Sequence, residues 1–338
     1  MSTVDSNELK SASVNFTVAV PTYNGADRIP AVLDRLRSQI NTESLSFEVI
    51  VVDNNSADNT AAIVKAYQET WPSESPLRYC FESKQGLAYA RQRAVEDANG
   101  TFIGFLDDDT LPAPDWVAAS FAFGQAHPTA GAFGGQVHGD FEVEPPPNFE
   151  RIESFFAIKK RGSKPNRYEP EKLSLPAGAG LVVRRDAWLE SVPAQLVRTG
   201  RGGNDFEISL HLHRMGWEIW YCPTMHIYHQ IPRERLERAA LLKLIRTAGL
   251  CICQLRMVGA KPWQKPIIAL KIILGNSRRV ILHLLKHGAQ VKTDLVTECE
   301  MAFFLSSLVS PFYSLNASLK KALSPQPRKN ELHSAAQS

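Results

Sequence analysis

Between residues 14 and 110, short apolar runs alternate with helical stretches, and this rhythm constrains the fold more than any other feature of the chain. Phe16–Val20 is rich in β-branched residues, and Ile29, Val32, Leu33, Leu36 and Ile40 then recur at helical spacing. Phe47–Val52 is an apolar run ending in Asp53, after which Asp58 can cap a helix over residues 59–70. Leu77–Phe81 predicts a third strand, Gly86–Asn99 a helix stopped by Gly100, and Thr101–Leu106 a fourth, buried strand. Strands alternating with helices of this length predict βαβ units. The expected fold is α/β, Rossmann-like, with a mostly parallel sheet flanked by helices.

After Asp109 the rhythm weakens. Pro114 opens a predicted helix to His127, while Pro145–Pro147 and Arg161–Lys172 read as long loops. Leu181–Val183 is a short strand, Asp205–Met215 a helix closed by Gly216, and Trp217–Tyr221 another strand. A length of 338 residues allows one large domain with an extension or two modest domains. The expected organisation is a disordered tail over 1–13 and a catalytic domain over 14–235, with halves 14–110 and 111–235. A helical basic extension over 236–322 and a disordered tail over 323–338 complete it.

Net charge is only +3, but thirteen Lys and Arg against two Glu fall between Arg233 and Lys292. A basic segment rich in Leu and Ile points to an anionic surface, and membrane suits it better than nucleic acid because no aromatic platform is interleaved. The five cysteines form no CxxC pair, so neither a disulfide framework nor a zinc site follows from them. The polar start lacks the apolar core of a signal peptide, and no membrane-spanning helix is expected. The expectation is a cytoplasmic protein, peripheral on the inner face of the cell membrane.

Three polar groups follow predicted strands: Pro21-Thr22-Tyr23-Asn24, Asp53-Asn54-Asn55 and Asp107-Asp108-Asp109. In open α/β sheets ligands bind outside the carboxyl ends of the strands, so all three groups should converge on one edge. Asn and Asp are also ordinary turn formers at strand ends, which explains any one group but not three together. The triple aspartate is the sharpest of them, because adjacent carboxylates repel unless a cation is near. On an extended backbone Asp107 and Asp109 share one side and Asp108 faces the other. Two carboxylates on one side suit Mn²⁺ or Mg²⁺ with positions open to phosphate oxygens. The alternative is a solvated acidic turn.

The segments VAVPTYNGADRI, FEVIVVDNNSADNT, KQGLAYARQRAVEDANGTFIGFLDDDTLPAPDW and GGNDFEISLHLHRMGWEIWYCP resemble, in order and spacing, the successive blocks of the family-2 glycosyltransferases. The resemblance covers roughly residues 14–235. It implies a GT-A fold and metal-dependent, inverting transfer of a sugar from a nucleotide sugar, a UDP-sugar, to a saccharide or lipid-linked acceptor. Pro21, Tyr23, Asn24, Asn55, Lys84 and Gly86 would line the nucleotide site, and Asp53 would accept a hydrogen bond from the pyrimidine. Asp107 and Asp108 would meet the ribose or metal region, and Asp109 would be the principal metal ligand. The carboxy-terminal segment is similar to those of bacterial exopolysaccharide glycosyltransferases, the hormogonium-polysaccharide type among them.

Asp205 is the candidate base. It starts a predicted helix behind the glycine-rich stretch Gly200–Gly203, where backbone can approach an acceptor closely. The resemblance implies that it deprotonates the acceptor hydroxyl; an N-cap role is compatible with that. The family often carries an acidic residue where this chain has Asn204, and Glu207 is the reserve base. Gly178 and Gly180, ahead of Arg184-Arg185, resemble the family's acceptor-side loop. His211 and His213 lie about 200° apart around a helix, poor spacing for chelation. His226 and His229 point to opposite sides of an extended stretch, and the resemblance favours His229 as a metal or diphosphate ligand. Arg233 and Arg235 could neutralise a leaving diphosphate.

Three rival readings are weaker. A nucleotidyltransferase would carry a glycine-rich loop after its first strand, where this chain has PTYNGADR. A non-catalytic saccharide-binding relic should have lost the carboxylates. A polyprenyl-phosphate sugar transferase differs only in acceptor, and the basic tail would suit it.

Overall fold

The structure, a computed structural model, describes residues 14–196 and 203–323. The expectations for residues 1–13, 324–338 and Gly200–Gly202 fall outside those residues. Contacts divide the chain into two units, the first reaching Leu241 and the second starting at Leu242.

The first unit opens with β1 (Phe16–Thr22), α1 (Ile29–Arg37), β2 (Phe47–Asp53), α2 (Thr60–Glu69), β3 (Leu77–Phe81), α3 (Leu87–Asp97) and β4 (Phe102–Phe105). These four strands run parallel, as the alternation predicts. Every residue of β1 and β2 is buried, because helices cover both faces, and this is why they read as apolar runs rather than alternating ones.

The chain continues through β5 (Thr110–Pro112), α4 (Trp116–Ala126), β6 (Ala130–Phe141), β7 (Asn166–Arg167), β8 (Val182–Arg184), α5 (Arg185–Ser191), α6 (Asn204–Arg214) and β9 (Glu218–Ile231). The sheet order is β3-β2-β1-β4-β8-β6-β9-β5, with β7 paired to β9. Parallel pairing gives way to a mixture in this half: β8 is antiparallel to β4 and β6, and β5 is antiparallel to β9. Because β2 and β4 flank β1 on opposite sides, the strand order reverses at β1. That is the switch point outside which α/β sheets bind ligands.

Four strands depart from the sequence reading: the short β5 and β7, of three and two residues, and the long β6 and β9. Long β6 escapes it because four glycines interrupt the apolar pattern, and glycine is poor strand material. The packing requires them. A Cβ on Gly135 would lie 2.1 Å from the Met225 carbonyl oxygen on β9, and one on Gly131 would lie 2.5 Å from the Trp217 side chain. Register shifts at Ala130/Ala132 and Gly134/Gln136 mark the same irregularity. The expected strand over Trp217–Tyr221 runs on to Ile231, which carries His229 into the sheet.

At the amino ends of β1 and β2, a buried network braces the sheet. Glu48 accepts hydrogen bonds from Thr17 Oγ1 at 2.9 Å, Arg78 Nη1 at 3.0 Å, and the backbone N–H and side-chain amide of Asn99 at 2.8 and 3.0 Å. Burial works to raise its pKa, and these donors outweigh that and lower it.

The second unit holds most of α7 (Arg238–Met257), then α8 (Gln264–His287) and α9 (Leu295–Leu323). Gly249 lets α7 approach α9 closely: a Cβ there would lie 2.7 Å from Ser306 Cβ. One face of α8 is unpacked within this unit, exposing Ile267, Leu270, Leu274, Ile281 and Leu285. Within α9, Leu295–Leu315 is long and apolar enough by composition to cross a membrane, and half of its most apolar window is buried.

Candidate active site

The carboxyl ends of β1 and β2 are level, since Thr22 pairs with Asp53, and their loops are stitched together. Asn24, in the left-handed region at φ 47°, accepts a hydrogen bond from Ala57 N–H at 2.8 Å, while its own N–H donates to Ser56 Oγ at 2.9 Å. Asp53 accepts from Ser56 N–H at 2.9 Å and from the Tyr79 hydroxyl at 2.8 Å, and is only 2% exposed. Burial, with the Asp53 hydrogen bond behind it, pushes the Tyr79 phenol up to about 12. Pro21 is buried at the end of β1, whereas Tyr23 and Asn55 are exposed at the rim.

Asn54, passed over in the sequence between two singled-out residues, positions the next loop. Its side-chain amide donates to the carbonyls of Glu82 at 3.2 Å and Lys84 at 2.6 Å, and its Oδ1 accepts from Gly86 N–H at 2.7 Å. The segment holding Lys84 and Gly86 is thereby tied to the β2 end, and Lys84 itself is exposed.

The aspartates form a turn rather than an extended strand: Thr110 N–H donates to the Asp107 carbonyl at 3.0 Å. The turn sends each side chain to a different partner. Asp108 is braced, accepting from Thr22 Oγ1 at 2.6 Å and from Arg28 Nε and Nη2 at 3.0 and 2.9 Å, so it serves as a strut between β1, α1 and the turn. Asp107 lies 3.5 Å from Arg91 Nη2. Desolvation raises the pKa of Asp107, Arg91 opposes that, and Asp109 adds to the rise; its side chain nonetheless keeps 36% exposure.

Asp109 meets two residues that lie more than a hundred positions later in the chain. Its Oδ2 lies 3.1 Å from Arg235 Nη1 and 3.5 Å from His229 Nε2. His229 Nδ1 is 2.8 Å from the Phe156 carbonyl, which can only accept, so Nδ1 carries the proton. The Nε2 lone pair therefore faces Asp109 and accepts from Arg235 Nη1 at 2.9 Å. Burial works against the charge on Asp109, but the Arg235 and Arg28 guanidinium groups favour it, and its pKa is lowered. A carboxylate oxygen and a neutral imidazole nitrogen thus converge on one point, which the Arg235 guanidinium now fills with positive charge. That donor set fits a divalent cation. His226 lies off this point: it is 2.9 Å from His138 Nε2.

Gly203 takes the N-cap position of α6 with φ 82°, which corrects the expected Asp205 cap: Asp205 is the second helical residue, and no side-chain bond caps the helix. Asp205 is half-buried, whereas Glu207 is 1% exposed, with His211 Nε2 3.9 Å away. Gly180, at φ 73°, donates its N–H to the Phe105 carbonyl at 2.8 Å and fixes the loop ahead of β8 to β4. Lys159 is near enough for Asp205 to act on it; burial lowers its pKa, Arg161 adds to that, and Asp205 opposes both.

One buried residue joins the two halves. Arg91 of α3, 1% exposed, donates Nη1 to Asn204 Oδ1, keeps Nη2 near Asp107 and lies 5.5 Å over the Phe105 ring. A Cβ on Gly178 would lie 2.6 Å from Arg91 Nη2 and 3.0 Å from Asp205 Cβ. Arg91, Asp107, Gly178, Asn204 and Asp205 therefore form one contiguous patch, although they are spread over more than a hundred residues of sequence.

The model of the family described as "Glycosyl transferase family 2" matches residues 17–190, just over half of the chain. The chain belongs to glycosyl transferase family 2. Glycosyltransferase AglE of Haloferax volcanii is 33% identical over 102 residues, covering 30% of this chain and 32% of its own length. Validoxylamine A glucosyltransferase of Streptomyces hygroscopicus subsp. jinggangensis is 25% identical over 222 residues, 59% of this chain and 51% of its own. The matches to these relatives thus span between a third and a half of the relatives' lengths. Among solved structures, mannosyltransferase PcManGT from Pyrobaculum calidifontis, in complex with GDP-Man and Mn²⁺, aligns over 90% of this chain and 88% of its own with a TM-score of 0.57 and 21% identity. TarS of S. aureus (residues 1–349) aligns over 90% and 92% with a TM-score of 0.50 and 15% identity. The family-2 chain therefore has a GT-A fold, a mixed α/β sheet flanked by helices.

Proposed function

We propose that this family-2 glycosyltransferase moves a sugar, with inversion, from a UDP-sugar to a saccharide or lipid-linked acceptor in polysaccharide synthesis. The observation that carries the reading is Arg91, whose buried guanidinium touches both Asp107, in the donor-side turn, and Asn204, beside Asp205. Donor carboxylates and candidate base are thereby held in one patch at the switch point of the sheet. The Asp205 carboxylate takes the acceptor hydroxyl proton as that oxygen bonds to the anomeric carbon. The bond from that carbon to the diphosphate oxygen breaks on the opposite face, and its electrons leave with the diphosphate. A single displacement of this kind inverts the centre.

Asp109 and His229 would hold Mn²⁺ or Mg²⁺, with Asp107 adjacent. A cation there supplies charge neutralisation for the departing diphosphate. Arg235, which already touches both residues, and nearby Arg233 face the same task. Support for a nucleotide-sugar donor comes from structural neighbours crystallised with GDP-Man and Mn²⁺, and with UDP-GlcNAc. The purified protein with Mn²⁺ should slowly hydrolyse UDP-sugars and release UDP. If no nucleotide sugar is bound or hydrolysed with Mn²⁺ present, the reading is wrong.

The second unit supports a lipid-linked acceptor at the cytoplasmic face of the membrane. Ile267, Leu270, Leu274, Ile281 and Leu285 follow helical spacing on α8, and Lys265, Lys271, Arg278, Arg279 and Lys286 are exposed beside them. Such a helix can lie in an anionic interface, where each basic residue contributes roughly 1 kcal/mol. Full-length protein should float with vesicles containing anionic lipid at low salt. Charge reversal at Lys265, Lys271 and Lys286 together should release it, by about 10²-fold in partitioning. Equal recovery with neutral and anionic vesicles would remove the electrostatic part of this reading.

A further inference from the structure

The second unit also carries a donor set that sugar transfer does not use. His283 and His287 are four residues apart on α8, so one turn puts both rings on the same face, with centroids 4.6 Å apart. On α9, Glu300 Oε2 lies 3.9 Å from His283 Nδ1. One ligand atom from each of the three residues lies within 4.8 Å of the others.

The orientation of His283 is fixed from behind. The side chain is buried, and Nε2 is 3.0 Å from the Thr297 carbonyl oxygen. A carbonyl only accepts, so Nε2 carries the proton, and the lone pair of the neutral ring is on Nδ1, facing Glu300. Metal-binding histidines are held in this way, one nitrogen donating to a carbonyl and the other presented to the ion. Phe304 packs edge-on against the same ring, 5.5 Å between centroids, and limits its rotation.

We propose that His283 Nδ1, one ring nitrogen of His287 and a carboxylate oxygen of Glu300 bind Zn²⁺ and clamp α8 to α9. Two imidazoles and one carboxylate suit zinc better than the hard cations that the donor-side site would take. Donors around a tetrahedral zinc lie roughly 3.4 Å apart. The observed separations close to that by about an ångström of side-chain rotation, well within the reach of His287 and Glu300. Three protein ligands leave a fourth position for water or another ligand. This site is independent of the proposed transfer chemistry and lies in the other unit.

The test uses the full-length chain with Asp109→Asn in the background, so that zinc at the donor-side carboxylates does not confuse the count. After dialysis against chelator, Zn²⁺ is titrated in competition with a chromophoric chelator, and Co²⁺ absorption reports the geometry. The expected result is one equivalent of Zn²⁺, tetrahedral bands with Co²⁺, and a zinc-dependent rise in Tm. Adding Glu300→Gln or His287→Ala should weaken zinc at least about 100-fold and abolish the Tm rise. His283 is left intact because its burial makes a folding defect the expected result of changing it. The proposal is overturned if the Asp109→Asn protein takes up no zinc, or if Glu300→Gln and His287→Ala both bind zinc as tightly as their parent. The first measurement needs neither variant to fold.

Discussion

Asp205→Asn should lower turnover by at least about 10²-fold while donor affinity stays near that of the parent. The substitution keeps the size of the side chain and removes its basicity. Gly203, not Asp205, occupies the cap of α6, so the start of the helix does not depend on the carboxylate. What the helix loses is one favourable charge in its first turn, about 0.3–1 kcal/mol. The donor-side contacts of Asp53, Asp108 and Asp109 are untouched. Glu207→Gln is the control, because Glu207 is 1% exposed whereas Asp205 is half-buried. It should cost less turnover than Asp205→Asn. The readout is single-turnover kinetics with saturating donor, alongside donor titration by calorimetry. Near-parental turnover in Asp205→Asn together with an inactive Glu207→Gln would place the base two residues later.

The second large effect is removal of the divalent ion. Excess EDTA should abolish transfer, and Mn²⁺ or Mg²⁺ should restore it. Neutralising charge at a leaving diphosphate contributes several kcal/mol, so a loss on the order of 10³-fold is expected. Asp109→Asn should reproduce the loss and weaken nucleotide binding only when metal is present. Without metal, Arg235 still donates to His229 Nε2 and can still meet a diphosphate, so affinity should then match the parent's. Isothermal titration of UDP with and without Mn²⁺, for both proteins, separates these cases. Full activity in excess EDTA would refute metal dependence outright.

The parallel half of the sheet was legible because strands buried on both faces must be largely apolar, as β1, β2 and β4 are, while the edge strand β3 is only partly buried. The other half was not. Glycines that allow β6 and β9 to approach erase the pattern by which strands are recognised, and β5 is only three residues long. The three polar loop groups were legible from their positions after strands, but their division of labour was not. The notion of alternating side chains assumed an extended backbone, whereas a turn gives Asp108 to Arg28 and Asp109 to His229 and Arg235. Arg91 left almost no signal. An arginine on an amphipathic helix reads as a solvated face, and only the small residues Ala88, Ala90 and Ala94 around it hint that this face is packed. Asn54 was hidden by its neighbours, since a sequence does not tell which of three consecutive polar residues turns inward.

Gly178 carries a consequence for anyone who would redesign this protein to accept a different molecule. Its backbone does not require glycine by φ; the obstacle is volume, with Arg91 Nη2 2.6 Å and Asp205 Cβ 3.0 Å from where a methyl would stand. A long surface side chain could swing away from such an intruder. Arg91 cannot, because it is buried and committed to Asn204 and Asp107. A library randomised at residue 178 would therefore return mostly inactive clones, whatever acceptor it was selected on. Diversity is better placed at Lys159, whose side chain reaches the neighbourhood of Asp205 without bracing it.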